Sequence, residues 1–167
     1  MKKELKRFIL RFTQDIGGLL PAGKIAEQDK GYYLADESTR SLVSEIEKNS
    51  GLEPRHQGTY LGNIRKNRFS PSFLLLDLLF ENIKEKNIVK VDKKAYWLFM
   101  CGKDIFKNSI QKYEIHDPKK LCFVLGPAGD LAGIGKIVGD PGSLSPGRLA
   151  IKNVLDRGIF LRQEMTR

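Results

Sequence analysis

The sequence predicts an α+β protein in two parts, the first mixing helices with strands and the second built mainly of short β-strands. Three observations lead there. Apolar residues in the first half recur at three- and four-residue steps. From about Ala95 onward the texture changes to brief apolar runs punctuated by Pro- and Gly-containing turns. A chain of 167 residues also has room for two small domains, each burying its core only marginally. The short charged stretch Asp92-Lys93-Lys94 marks the junction, giving a first domain over 1–92 and a second over 95–167.

Leu5, Phe8, Ile9, Phe12 and Ile16 share one face of a helix that Gly17-Gly18 ends, with Lys3, Arg7 and Arg11 on its other face. Lys30 to Ala35 reads as a strand around Tyr32-Tyr33. Asp36 then supplies an N-cap for a helix carrying Leu42, Val43 and Ile46, and Gly51 is its stop. Thr59 to Ile64 is strand-like and leads into Arg65, Lys66 and Arg68. After Ser70-Pro71, Phe73 to Phe80 is apolar nearly all round, which predicts a buried helix. Val89 and Val91 form a strand.

The second half offers strands at Ala95–Met100, Ile110–Ile115, Leu121–Leu125, Leu131–Val138, Leu149–Val154 and Ile159–Leu161. Asp117-Pro118, Gly126-Pro127, Asp140-Pro141-Gly142 and Ser145-Pro146-Gly147 separate them, and only Gly102 to Asn108 reads as a short helical turn. So many brief strands in about 70 residues predict a small closed or nearly closed barrel, which removes exposed edges.

The net charge is +9 and the pI about 9.6. Residues 1–50 are almost balanced, with 9 Lys/Arg against 8 Asp/Glu, so the excess lies in the last two thirds. Such an excess attracts polyanions by releasing their counterions. Cys101 and Cys122 are far apart in apolar surroundings, which predicts two buried thiols in a reducing compartment. Lys2 to Ile16 mixes charge with apolar groups, so neither a signal peptide nor a membrane span is expected. A cytoplasmic location follows, or a nucleolar one in a eukaryote.

Motifs for catalysis or cofactors do not emerge. In Gly126 to Gly135, Asp130 stands where a phosphate loop needs its first glycine, and Ile137 follows Gly135-Lys136 in place of Ser or Thr. Val138 occupies the third glycine position of a dinucleotide fingerprint. Gly133 and Gly135 read instead as strand glycines that admit another backbone closely. His56 and His116 have no partner at metal-ligand spacing, and Asp77 within its apolar helix fits capping or pairing better than catalysis. The expectation is a non-enzymatic protein with no metal and no cofactor.

What the second half does carry is cations within β-texture. Lys103, Lys107 and Lys112 flank the helical turn, while Arg148, Lys152, Arg157 and Arg162 lie on or beside the last two strands. Period-two geometry puts Lys152 opposite Leu149 and Ile151, and places Phe160 and Arg162 opposite Ile159 and Leu161. In a small barrel the first and last strands are neighbours, so these bases are expected to converge into one groove facing RNA phosphates.

Gly102-Lys103-Asp104-Ile105-Phe106-Lys107-Asn108-Ser109-Ile110, Phe123-Val124-Leu125, Leu131-Ala132-Gly133-Ile134-Gly135 and Asp156-Arg157-Gly158-Ile159-Phe160-Leu161-Arg162 together resemble a PUA domain. Gly58-Thr59-Tyr60-Leu61-Gly62 and Phe69 through Leu79 are similar to one family of PUA proteins, the archaeal and eukaryotic large-subunit ribosome biogenesis factors of the nuclear-import-protein-seven type. The resemblance implies an N-terminal α/β domain with a mostly antiparallel sheet and a C-terminal PUA-like β pseudo-barrel. It implies RNA binding, pre-ribosomal RNA most of all, in large-subunit assembly beside other assembly proteins and away from membranes. Carried onto matching positions, it points to Gly102, Lys103, Lys107, Lys112, Lys152, Arg157 and Arg162. Ser109 and Gln111 depart from the family, which usually has glycine there. The alternative is an RNA-modifying enzyme or its accessory subunit, because PUA domains often accompany catalytic domains.

Overall fold

The structure, a computed structural model, describes residues 2–51, 58–159 and 162. The backbone falls into two compact units, Met1–Leu10 with Asp15–Asn82 and Arg11–Gln14 with Ile83–Arg167. His56, Phe160 and Leu161 lie outside the described residues.

The first unit runs α1 (Lys3–Ile9), β1 (Lys24–Gln28), β2 (Gly31–Ala35), α2 (Glu37–Ser50), β3 (Thr59–Arg65), β4 (Arg68–Pro71) and α3 (Phe73–Asn82). Its strands pair antiparallel in the order β1-β2-β3-β4 among the described residues. Patterning alone misses β1 and β4 because their turns lack the usual glycine. Asp29-Lys30 and Lys66-Asn67 close the two hairpins with φ of 50°, 64°, 47° and 59°. That is the geometry which ordinarily selects Asn-Gly or Asp-Gly.

Two helices of this unit depart from their sequence patterns. α1 stops at Ile9 instead of running to Gly17. The cause is that Arg11 O accepts from Leu121 N at 2.7 Å and Phe12 stacks on Phe123 at 5.0 Å, both within the second unit. α2 has the expected Asp36 cap, bonded to Thr39 N at 2.8 Å, and the expected left-handed stop at Gly51. Its apolar stripe is not buried, however; Leu42 remains 60% exposed. The core comes from Leu5, Phe8 and Ile9 of α1, Leu75, Leu76 and Leu79 of α3, and Tyr32, Leu34 and Leu61 of the sheet. Tyr32 donates to Glu4 Oε2 at 3.0 Å, and burial together with that bond pushes its phenol up to about 12.

The second unit contains β5 (Asn87–Val91), α4 (Lys93–Met100), β6 (Ile105–Phe106), a 3-10 turn (Lys107–Ser109), β7 (Ile110–Glu114), β8 (Leu121–Leu125), β9 (Leu131–Ile137) and β10 (Leu149–Asp156). Among the described residues they form a six-stranded sheet, β6-β10-β9-β8-β5-β7, antiparallel except for the parallel pair β5–β8. β5 therefore belongs to the second unit, and the chain divides at Asn82/Ile83 rather than at Asp92–Lys94. Charge and texture mark the later point, but hydrogen bonds to β7 and β8 on both sides decide the earlier one.

The connection between the two edge strands dictates the shape of this sheet. Laid flat, six strands about 4.8 Å apart would hold β6 and β7 about 24 Å from each other. The chain passes from Phe106 to Ile110 through the 3-10 turn alone, a reach of at most about 15 Å. The sheet must curl, and the nearly closed barrel expected from the sequence is realised as a curled half-barrel.

Inside the curl lie Val89, Val91, Ile105, Cys122, Val124, Ala132, Ile137, Ala150 and Ile151, with Ala95 and Phe99 inserted from α4. Ala95–Met100, read from its aromatic texture as a strand, is this helix. Asp92 caps it, accepting from Ala95 N at 2.7 Å, and the four-residue spacing of Ala95 and Phe99 buries one helical face. Gly102 to Asn108 is mostly not helical, since it carries β6 before the turn begins at Lys107. Ile159 and Arg162 are helical rather than extended, with Arg162 N donating to Gly158 O at 3.2 Å. Cys101 is exposed, contrary to expectation. Cys122 is buried, donates to Gly135 O at 3.4 Å, and has its thiol pushed up to about 12 by desolvation.

Gly133 does admit another backbone, whereas Gly135 makes room for a side chain. A Cβ at either would collide with β10, at Leu155 O and at the Ile151 side chain respectively. At the start of β5, buried Asn87 accepts from His116 N (2.8 Å) and Asp117 N (3.1 Å) and donates to Asp117 O (2.6 Å) and Leu121 O (3.3 Å). One amide thus fixes the β7–β8 connection and with it the parallel pair. Asn87→Ala is expected to lower stability by about 1–3 kcal/mol through the donors and acceptors it strands, read as a lower denaturant midpoint with an unchanged m-value.

Candidate nucleic-acid interface

The cations of the second unit do not form one groove. Strand register and the two ends of the sheet distribute them into groups, and each group has a distinct local cause.

The first group lies on the seam where the curled sheet brings its edges together. Lys107 N donates to Arg148 O at 2.9 Å, and Gly147 N donates to Asn108 Oδ1 at 2.9 Å, so the 3-10 turn is stitched to the approach of β10. Lys107 Nζ sits 5.5 Å from the centroid of the Tyr113 ring, a cation–π distance. Tyr113 and the neighbouring Phe106 are 40% and 48% exposed. The backbones of Lys107 and Arg148 thus meet at the seam, and exposed aromatic rings lie beside Lys107.

The second group lies on the sheet face opposite the core. Lys112 pairs directly with Lys90 of β5, and Lys152 pairs directly with Lys136 of β9. The rows carrying these pairs cross β8 at Leu125 and at Leu121, about 13 Å apart at 3.3 Å per residue. Between them Phe123, on the same face, is covered by Phe12. Sequence reasoning missed Lys90 and Lys136. Lys136 had a legible signal, being the lone charge in Leu131–Ile137, where alternation turns a single polar residue outward. Lys90 falls before the expected junction at Asp92-Lys93-Lys94, among residues 1–92.

The third group surrounds the C-terminal end of α4. Arg162 donates to Asp156 through both terminal nitrogens, at 2.8 and 2.9 Å, and also to Met100 O. The carboxylate bonds raise the guanidinium pKa further. Asp156 is buried and also accepts from Asn153 Nδ2 at 3.2 Å. Asn153 in turn donates to Phe99 O at 2.9 Å and, through its backbone, to Asp104 Oδ1 at 2.8 Å. This knot ties α4, β10 and Arg162 together, so Arg162 acts as a clamp. Its guanidinium lies 3.4 Å from where a side chain on Gly102 would begin, and Gly102 itself has φ 83°. Lys103 beside it is exposed. Arg157, half-buried, stands near Tyr96, whose phenol pKa is raised first by its bond to Asp130 and is opposed by the Arg157 charge.

Among the described residues no group of three His, Cys, Asp or Glu side chains could hold a metal ion, and no helix is long and apolar enough to cross a membrane. Glu114 and His116 pair with each other at 2.8 Å.

A curled β half-barrel with one helix packed into its mouth and cations along its seam defines a PUA-domain protein. Residues 87–165 match the UPF0113 PUA domain, so the second unit carries a PUA domain of that type. A UPF0113 protein of Archaeoglobus fulgidus is 30% identical over 121 residues, which cover 69% of this chain. The match spans 66% of that relative's length, just under two thirds. In fold, the chain is similar to a conserved PUA domain protein from Thermoplasma acidophilum, with TM-score 0.56 and 23% identity over 98% of this chain and 95% of that one. It is also similar to a hypothetical protein of Pyrococcus horikoshii, with TM-score 0.53 and 18% identity over 93% and 91%. PUA domains are RNA-binding modules.

Because Arg162 is engaged by a buried carboxylate, Arg162→Ala is expected to act on stability. The loss should be about 1.5–3 kcal/mol, as for hydrogen bonds to a charged group, and thermal unfolding should show it while the salt slope of RNA affinity stays unchanged.

Proposed function

We propose that this chain is a non-catalytic RNA-binding protein that holds single-stranded RNA along the seam of its second unit. The observation that carries the reading is Lys107 Nζ over the exposed Tyr113 ring, at the seam where the Lys107 backbone is bonded to that of exposed Arg148. A flexible strand presents phosphates to the two cations while an unstacked base covers the ring. Lys112 with Lys90 and Lys152 with Lys136 supply further phosphate contacts on the outer face. Affinity then comes chiefly from charge, and sequence preference from the aromatic contacts.

The family resemblance supports a narrower role in the same terms, as an assembly factor on large-subunit precursor RNA. Crosslinking in cells followed by sequencing of the attached RNA tests it. Enrichment of large-subunit precursor sequence is the expected result, and enrichment of transfer RNA with an altered nucleotide would put a modification role in its place.

The electrostatic part is tested on the purified chain. Lys107→Ala with Arg148→Ala should weaken binding to a short single-stranded RNA at least tenfold at moderate salt. It should also make the salt slope shallower by about 1.4, since each phosphate on single strands contributes about 0.7. Unchanged affinity and slope would remove the seam from the interface.

A further inference from the structure

The sheet of the first unit holds a cavity of about 440 Å³ bordered by Asp29, Gly31, Tyr33, Gly58, Tyr60 and Asn63. Strict alternation along β3 would send Tyr60 and Asn63 to opposite faces. The register prevents it. Tyr33 pairs with Tyr60 and Gly31 pairs with Asn63, so three steps on β3 face two on β2. This bulge brings both side chains to the face that carries Tyr33.

The floor of the cavity is built from that face. The Tyr33 ring crosses Gly31, where a Cβ would stand 2.8 Å from the ring edge, so glycine keeps the space open. Tyr33 is itself buried, and the Tyr60 ring lies 5.4 Å from it, tilted by 48° and 39% exposed. Tyr60 is thus an aromatic ring braced from beneath and open above. Desolvation raises its phenol pKa, with Tyr33 adding to the rise and Arg65 opposing it, so the ring is neutral at ordinary pH. Beyond Asn63 on the same strand comes Arg65, paired directly with Arg68 across the β3–β4 hairpin, and both are exposed.

We propose that this surface is a second RNA site, a pocket for one nucleobase of a single strand. The base stacks on Tyr60, its hydrogen-bonding edge meets the Asn63 amide and the Asp29 carboxylate, and the adjoining phosphates fall to Arg65 and Arg68. Every base has a face that stacks on an aromatic ring. An ionised carboxylate only accepts hydrogen bonds, and its charge repels phosphate, so Asp29 assigns the pocket to base edges rather than backbone. It favours a base with an exocyclic amino group, adenine over uracil. The site stands on the first unit alone and does not depend on the seam.

Fluorescence anisotropy of the full chain with five-nucleotide A5 and U5 RNA tests this. Tyr60→Ala should weaken A5 binding about fivefold or more. Tyr60→Phe, which keeps the ring, should stay within about twofold of the native chain by the same stacking argument. The drop should persist when Lys107 and Arg148 are already alanine, which separates failure here from failure of the seam. Asp29→Asn should narrow the preference for A5 over U5. Ultraviolet crosslinking of A5 to the unaltered chain should label the peptide containing Tyr60, whatever the variants do to folding. Native-like binding by Tyr60→Ala in both backgrounds, or labelling of second-unit peptides only, would overturn the proposal. Competition by free AMP at the same concentrations as A5 would also overturn it, by putting a mononucleotide where RNA is proposed.

Discussion

The second unit depends on one constraint of chain length. Only Lys107–Ser109 separates the strand at one edge of the six-stranded sheet from the strand at the other. A flat sheet cannot satisfy so short a link, so the strands coil around Phe99 and the valine and isoleucine side chains of β5, β8, β9 and β10. Curling protects the two edges from pairing with other chains. It also makes the link a place where the approach to β10 and the start of β7 come together. Lys107, Tyr113 and Arg148 are neighbours for that reason alone.

The same geometry governs how the remaining charges are held. Arg162 is neutralised by Asp156, and the resulting knot is part of the architecture. Lys90 with Lys112 and Lys136 with Lys152 are directly opposed like charges. Such pairs oppose folding slightly in the free protein, and a polyanion laid across them removes that repulsion. A cation's place in the sequence therefore says little about its availability. Its partner across the sheet, acid or base, decides whether it supports the fold or faces a ligand.

Much of the fold was legible from spacing. Asp36 and Gly51 bounded α2, the apolar run from Phe73 gave α3, and β7 to β10 appeared at nearly their observed limits. The failures share a cause, which is that tertiary partners overrode local preference. The Ala95–Met100 aromatics resemble a strand until Asp92 caps them and Ala95 and Phe99 enter the core. Phe12 keeps helical phase with α1 yet leaves it to stack on Phe123. β1 and β4 were hidden because Lys30 and Lys66 occupy left-handed turn positions where glycine or asparagine usually announces a hairpin.

The sequence by itself determined the α+β class, most of the strands of the second half, the basic excess and the PUA resemblance. All of these rest on residue type and near-neighbour period. Only the tertiary structure decided which cations are companions, because cross-strand register joins residues such as Lys90 and Lys112, or Lys136 and Lys152, with no trace in local pattern. A one-residue bulge reverses the side a residue faces, and that is why Tyr60 and Asn63 share a surface that alternation would deny them.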